Sequence, residues 1–459
     1  MTAAALAELQ AALGSAVSVD TAALEAVRTD KSGYISAAQP LAVVSARSIE
    51  DVQTVLRVAS AHDIPVVTRG AGTGLAGGAT GSAGEIVLST LRMNRILELS
   101  VTDELAVVEP GIINGDFNDA VREHGLWFAP DPASRAISTI GGNIATNAGG
   151  LLCAKYGVTR EAVLGLKVVL ADGRLLTLGH RSVKGVTGLD LTALMIGSEG
   201  TLGVIVEATV RLRPIARGER STIGAYFPSI TAAAGASAAI TAAGLSPAVM
   251  ELLDASSLRA IDAHLGLDLA SRGNAYLLVQ TDGVASASEA EEAVRIIRSH
   301  GGAAQSTTDA DEGERLLAVR RAFHPSLEAQ GTVLIEDVSV PRSQLPAMFE
   351  AIGALEKKYG IAIPTVAHAG DGNLHPNFVV DGPRVSERTW EAAGELFQAA
   401  LRLGGTLTGE HGVGILKRRW LGAELGADQL DLQREIKRVF DPRGILNPGK
   451  VFEVAKERV

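Results

Sequence analysis

Residues 65–89 read Pro65-Val-Val-Thr-Arg-Gly-Ala-Gly-Thr-Gly-Leu-Ala-Gly-Gly-Ala-Thr-Gly-Ser-Ala-Gly-Glu-Ile-Val-Leu-Ser89. An apolar run enters a glycine-rich loop, and a second apolar run leaves it. Inside the loop, Gly72-Thr-Gly-Leu-Ala-Gly77 matches the dinucleotide fingerprint G-x-G-x-x-G. That fingerprint needs a helix to start within the motif, so that its N-terminus meets the pyrophosphate. Here Gly78, Gly81 and Gly84 follow, and a strand is expected by Glu85. There is no room for the helix, and the Rossmann reading fails. What is left is a loop rich in bare amides. Glycine lets backbone pass close to a phosphate, and successive amides can form an anion-binding nest.

The flanking pattern extends this reading. Strands are expected at Pro65–Thr68, Leu41–Val44, Glu85–Ser89 and Leu105–Val108. Ser48 should cap a helix carrying Ile49, Val52, Leu56 and Ala59 at helical spacing. Asn114 should cap another that ends at Gly125. A second Gly- and Asn-rich run, Ser138–Gly150, reads as a loop. A third, Gly197–Gly203, lies between strands Leu166–Leu170 and Val204–Leu212. After Arg217–Arg220 glycine thins out and longer helical patterns alternate with strands, among them a helix near Ala287–Ser299 and strands Tyr276–Gln280 and Ile363–Ala367. An amphipathic helix, Gln429–Phe440, precedes Asp441-Pro-Arg-Gly-Ile-Leu-Asn-Pro448. The expected fold class is α+β, with domains at 1–218 and 219–423 and a C-terminal segment, 424–459, that returns to the first.

Composition narrows the function. The chain has 459 residues, enough for about two to four domains, with 46% apolar and 20% charged residues, an ordinary globular balance. A net charge of −10 argues against a nucleic-acid partner, because phosphate binding needs an excess of Lys and Arg. The single cysteine, Cys153, excludes an internal disulfide and reads as a small buried apolar residue. Met1–Leu13 lacks a basic start, so it does not read as a secretory signal, and no stretch reaches the ~20 apolar residues of a membrane span. The expected location is cytoplasmic, with peripheral contact at the inner membrane face left open.

Five motifs then agree in order. Pro65–Gly74, Pro130-Asp-Pro-Ala-Ser134, Thr139-Ile-Gly-Gly-Asn143, Asn147-Ala-Gly-Gly150 and Gly197-Ser-Glu-Gly-Thr-Leu-Gly203 resemble the FAD-binding domain of the vanillyl-alcohol oxidase/p-cresol methylhydroxylase superfamily. Over its full length the chain is similar to the D-lactate, glycolate and D-2-hydroxyglutarate dehydrogenase branch. The resemblance implies an FAD-binding domain of α/β subdomains and a substrate (cap) domain with an antiparallel sheet flanked by helices. It implies that Pro65, Arg69, Gly70, Ala71, Gly72, Thr73, Gly74 and Leu75 border the cofactor, with Arg69–Gly74 around the pyrophosphate. Pro130, Asp131, Ser134, Thr139, Gly141, Gly142 and Asn143 would line the ribityl chain and ring. Thr146, Asn147 and Gly150 would continue that wall, with Tyr156 and Gly157 near the ring. Glu199, Gly200, Gly203 and Ile205 would hold the adenosine side, and Asn447 would return to the cofactor. Arg69–Leu75 contains no His, so non-covalent FAD is expected.

Two histidine patches carry the chemistry. In His368-Ala-Gly-Asp-Gly-Asn-Leu-His375-Pro-Asn377, turn formers and Pro376 exclude a helix. A hairpin closed over Gly370–Asn373 would pair Ala369 with Leu374 and His368 with His375. Directly opposed residues share a face, and Asn377 joins it by the period of two. The second patch, Thr408-Gly-Glu-His-Gly-Val-Gly414, has glycines that could aim Glu410 and His411 to one side. Two His and a carboxylate suit Zn, Mn or Fe. A metal-free hydrogen-bonded cluster fits the spacing equally well. The resemblance implies His368, His375 and Glu410 as metal ligands and His411 as the base; Asn377, brought to the same face by the hairpin, joins the catalytic candidates. It implies Arg320, in Leu316-Leu-Ala-Val-Arg-Arg-Ala-Phe323, as the arginine for the substrate carboxylate, with Arg321 a competitor.

On this reading the metal would acidify the substrate hydroxyl, His411 would take the proton and flavin N5 would take the hydride. Two departures bear on the substrate. Ile335 stands where the 2-hydroxyglutarate members carry a Lys, which favours D-lactate or glycolate over D-2-hydroxyglutarate. His324 replaces a small hydroxyl residue. The electron acceptor could be a quinone, a cytochrome, an electron-transfer flavoprotein or a partner subunit, and oligomeric state is open. Rivals are an oxidase, a non-catalytic flavin subunit of a larger complex, and a flavin-free metal-dependent hydrolase or lyase.

Overall fold

The computed structural model describes residues 2–380, 382 and 384–453. The chain divides into two compact units. One contains the described residues of 1–149, 157–215 and 410–459, and the other contains 150–156 and 216–409.

The first unit starts from short apolar runs. Ala42–Ser45, Ile86–Ser89 and Val66–Arg69 pair in parallel, and all four residues of Ile86–Ser89 are buried, as expected for a parallel strand covered on both faces. Helix Ile49–Ala61 packs on them. The Ser48 hydroxyl accepts from the Asp51 amide at 3.2 Å, and Val52, Val55, Leu56 and Ala59 join Val44, Val66, Ile86 and Leu88 in one core. Each Val, Leu or Ile among them contributes about 1.5–3 kcal/mol. The C-terminal segment extends this sheet. The Val66 amide donates to the Ile445 carbonyl and the Asn447 amide donates to the Val66 carbonyl, at 2.7 and 2.8 Å. A second, antiparallel sheet runs Ile96–Ser100, Leu105–Val108, Val204–Arg211, Val163–Val169, Leu175–Gly179.

The second unit is built on an eight-stranded antiparallel sheet. Its order is Ala303–Thr307, Ser221–Phe227, Ala275–Thr281, Val249–Asp254, Thr365–His368, Asn373–Val380, Thr332–Ile335, with Val338–Ser339 paired to Asn373–Val380. Every residue of Ser221–Phe227 and Ala275–Thr281 is buried, so both faces of these strands are covered. Helices Ala255–Leu265, Ala310–Arg321 and Phe323–Glu328 supply Leu258, Ile261, Leu317, Phe323 and Leu327 to the core around Tyr276, Leu278 and Val366.

Several local expectations change. Asn114 does not cap its helix. The helix starts at Asn114, and the Asn114 amide side chain donates to the Pro130 carbonyl at 3.0 Å. Ser138–Gly150 is not all loop, because Ile140–Thr146 is helical. Thr139 caps it through the Gly142 amide, left-handed Asn147 ends it, and buried Ile140 and Ile144 pack one turn apart. Tertiary packing here overrides poor glycine propensity. The expected helix Gln429–Phe440 is the latter part of Leu421–Phe440, which breaks at non-helical Gly426. Cys153 is half-buried, not buried.

The unit breaks fall at 215/216 and 409/410, where the sequence pattern placed them at 218/219 and 423/424. Glu410 onward packs with the first unit because the Ile415 amide donates to the Ala76 carbonyl at 2.8 Å. Residues 150–156 go with the second because Leu151 and Leu152 pack on its core.

Candidate active site

In the first unit the glycine loop after Val66–Arg69 runs without a helix to Ile86. Arg69 braces it. Its Nη1 donates to the carbonyls of Thr29 and Ala79 at 2.9 and 2.8 Å. Gly72 has φ +70°, and a Cβ there would overlap the Arg69 guanidinium, so the tight turn requires glycine. Asn447, itself left-handed at φ 45°, donates to the carbonyls of Gly78 and Glu199 at 3.0 and 2.7 Å. It thereby clamps the first and third glycine loops together. Asn147 accepts from the Arg160 amide at 2.9 Å, and Thr146 donates to the Gly142 carbonyl at 3.2 Å.

Four buried polar atoms of these motifs have no hydrogen-bond partner among the described residues: Thr68 Oγ1, Ser138 Oγ, Asn143 Nδ2 and Asn447 Oδ1. Buried polar groups are nearly always paired, so these atoms fit a polar ligand such as the ribityl and pyrophosphate portions of FAD. Tyr156 lies in the second unit, where its hydroxyl donates to Asp282 at 2.6 Å. Glu199 supports a different segment. Its two carboxylate oxygens accept from the amides of Val413 and Gly414 at 2.7 and 2.9 Å, next to His411. Burial pushes its carboxyl up to about 7, against the pull of those two amides and of Lys417.

The histidine hairpin forms with another register. His368 faces Asn373, and His375 faces Val366, instead of each other. The turn covers Ala369–Gly372, since the Gly372 amide bonds back to the His368 carbonyl at 3.0 Å and the Ala369 amide goes to Met250 at 2.8 Å. Gly372 takes φ +89° to allow it. The expected common face survives, because residues diagonal across the ladder are still within reach of long side chains. The two imidazole centroids are 5.0 Å apart at 80°. Glu410 directly follows Gly409, the last residue of the second unit. Ligand atoms of His368, His375 and Glu410 all lie within 4.8 Å of one another. Two buried imidazoles and a carboxylate at this spacing fit a divalent cation. His411 Nε2 is 4.0 Å from Glu410 Oε1. Asn377 is fully buried. It donates to the His375 carbonyl at 2.7 Å, and its Oδ1 has no partner among the described residues.

The two arginines separate clearly. Arg321 is exposed and pairs with Glu314 at 2.5 Å. Arg320 is 9% exposed, and its Nε donates to Glu251 Oε2 at 2.7 Å. Glu251 has no exposed surface, and its Oε1 lies 2.6 Å from His368 Nδ1. Burial by itself would raise the Glu251 carboxyl, but the charges of His368 and Arg320, with their hydrogen bonds, hold it below its ordinary value. Sequence reading missed this residue. The signal was a lone carboxylate inside the apolar run Val249-Met-Glu-Leu-Leu253, a position that is costly unless the charge is paired. A second buried carboxylate, Asp337, accepts from Asn373 and Thr408, both at 2.6 Å, and so ties the hairpin turn to the segment leading into Glu410.

Comparison with known proteins fits this layout. Residues 40–179 match the FAD binding domain family, and residues 217–451 match the family described as FAD linked oxidases, C-terminal domain. The chain belongs to the FAD-linked oxidases. It is 42% identical over 428 residues to the glycolate oxidase subunit GlcD of Bacillus subtilis, covering 92% of this chain and 91% of that protein. It is 38% identical over 419 residues to the D-lactate dehydrogenase of Archaeoglobus fulgidus, covering 90% and 92%. It is also 38% identical over 431 residues to a D-2-hydroxyglutarate dehydrogenase of Xanthomonas citri pv. viticola, covering 90% and 89%. The crystal structure of p-cresol methylhydroxylase shares the fold of this FAD-linked oxidase, with a TM-score of 0.81 at 19% identity over 98% of this chain and 96% of that one. Among the described residues, no helix is long and apolar enough to cross a membrane.

Proposed function

We propose that this FAD-linked oxidase is a dehydrogenase of small D-2-hydroxy acids, with D-lactate or glycolate as substrate and the 2-oxo acid as product. The observation that carries the reading is the donor set of His368, His375 and Glu410, with ligand atoms within 4.8 Å, together with the buried Arg320 that is bonded through Glu251 to His368. The names of the glycolate, D-lactate and D-2-hydroxyglutarate relatives support the substrate class.

Bound non-covalent FAD supplies the acceptor for the electron pair that leaves the substrate Cα. His368, His375 and Glu410 would hold a divalent ion, Zn, Mn or Fe, whose Lewis acidity favours the alkoxide form of the hydroxyl. Arg320 binds the substrate carboxylate through its two Nη groups, since Nε is committed to Glu251 and a guanidinium edge matches a carboxylate. His411 accepts the hydroxyl proton at Nε2. Asn377 offers its Oδ1 as an acceptor beside His375. Ile335, paired with Asn377 across the ladder, gives a second substrate carboxylate no cation, which supports a monocarboxylate. Electrons then pass to a quinone, a cytochrome, an electron-transfer flavoprotein or a partner subunit. The word subunit in the name of the glycolate oxidase relative favours the last.

The test is anaerobic mixing with D- and L-lactate, glycolate and D-2-hydroxyglutarate while the flavin spectrum is followed. D-lactate or glycolate should bleach the flavin fastest. Failure of every 2-hydroxy acid to bleach it would sink the proposal.

A further inference from the structure

Glu251 touches both halves of this chemistry and faces no solvent. It sits on the central strand Val249–Asp254, directly across the ladder from His368. One carboxylate oxygen meets His368 Nδ1 at 2.6 Å, and the other accepts from Arg320 Nε at 2.7 Å. Strand pairing fixes the first contact and helix Ala310–Arg321 delivers the second.

We propose that Glu251 is a positioning residue that sets the tautomer of His368 and the aim of Arg320 at once, so that metal and carboxylate binding share one reference point. The inference rests on the metal reading above. A carboxylate accepts from both neighbours, so His368 carries its proton on Nδ1 and turns an unprotonated Nε2 toward Glu410 and His375. Carboxylates behind ligating imidazoles act in this way and typically change metal affinity 10–100-fold. The same anion takes Nε of Arg320 and leaves the Nη edge to a ligand.

The substitution Glu251→Gln separates this role from simple structural support. An amide has one accepting oxygen and one donating nitrogen. Arg320 can only donate, so the amide oxygen must serve Arg320 and the NH2 must face His368. His368 then has to accept at Nδ1 and carry its proton on Nε2, where it cannot ligate. The effect is therefore one-sided.

The experiment uses FAD-loaded protein, wild type and E251Q. It measures the affinity for Zn(II) and Mn(II) by competition with a chromogenic chelator. It also measures, after metal removal, the affinity for a non-reactive monocarboxylate, acetate or pyruvate, from flavin spectral shifts. The expected result is metal affinity weakened about 10–100-fold, monocarboxylate affinity within about threefold of wild type, and full FAD content. Equal metal affinity in both proteins overturns the inference, as does a parallel loss of both affinities. Absence of any metal binding by wild type overturns the metal reading itself and the inference with it.

Discussion

Replacing Arg320 by Lys keeps the positive charge and removes the fork. Arg320 is 9% exposed, with Nε 2.7 Å from Glu251 Oε2, so its Nη atoms are aimed by a buried carboxylate that is itself bonded to His368. Lysine brings one ammonium on a flexible stem. Drawn to the buried Glu251 carboxylate, it cannot also hold a substrate carboxylate in two-point contact. A hydrogen bond to a charged group contributes about 1.5–3 kcal/mol. Loss of one such bond and misdirection of the other should weaken substrate binding by about 3 kcal/mol, roughly 150-fold. Because the carboxylate contact is made equally in ground and transition states, KM should rise by that factor with a smaller change in kcat. Steady-state kinetics with D-lactate or glycolate and an artificial acceptor reads this directly, with flavin absorbance as the control for cofactor content. Arg320→Ala should also lower stability by about 3–5 kcal/mol, because it strands part of a buried charge. A KM for Arg320→Lys within about threefold of wild type would refute the assignment of the substrate carboxylate to this side chain.

His411→Ala should retain FAD and slow anaerobic flavin reduction by about 10²–10⁴-fold, the usual range for loss of a general base; a loss below tenfold would remove His411 from proton transfer. Asp254 caps helix Ala255–Leu265, and burial pushes its carboxyl from 3.8 up to about 6. A carboxyl raised in the fold contributes most stability below pH 4, and that contribution disappears as pH rises through 6. Asp254→Asn keeps a good cap, so its stability relative to wild type should improve by about 2 kcal/mol between pH 4 and pH 7, after allowance for partial exposure. Denaturant titrations at the two pH values check this, and a gap that stays constant or moves the other way contradicts it.

Much of the first unit was readable because its decisive signals are local. The absence of a helix after Gly77 follows from glycine spacing, and Ser48 capped its helix as the side chain of a Ser at that place should. Errors came where a partner distant in the chain decided the outcome. Asn114 turned to Pro130 and left its cap. Ile140–Thr146 became helical because two isoleucines found a core. The histidine hairpin kept its face but shifted its register, because Met250 took the Ala369 amide and Asn373 was held by Asp337.

By itself the sequence determined the order of the nucleotide motifs, the lack of a flavin-linking His in the first loop, and which residues could serve as ligands, base and carboxylate anchor. Those properties depend on residue type and short spacing, which survive without coordinates. Only the tertiary structure decided that Arg320 and not Arg321 is buried, that His368 and His375 meet diagonally, and that Glu251 joins them. Each of these depends on which strands and helices become neighbours. For Glu251 that choice is made by packing against Arg320 and His368, which lie 69 and 117 positions away in the chain, beyond the reach of any local pattern.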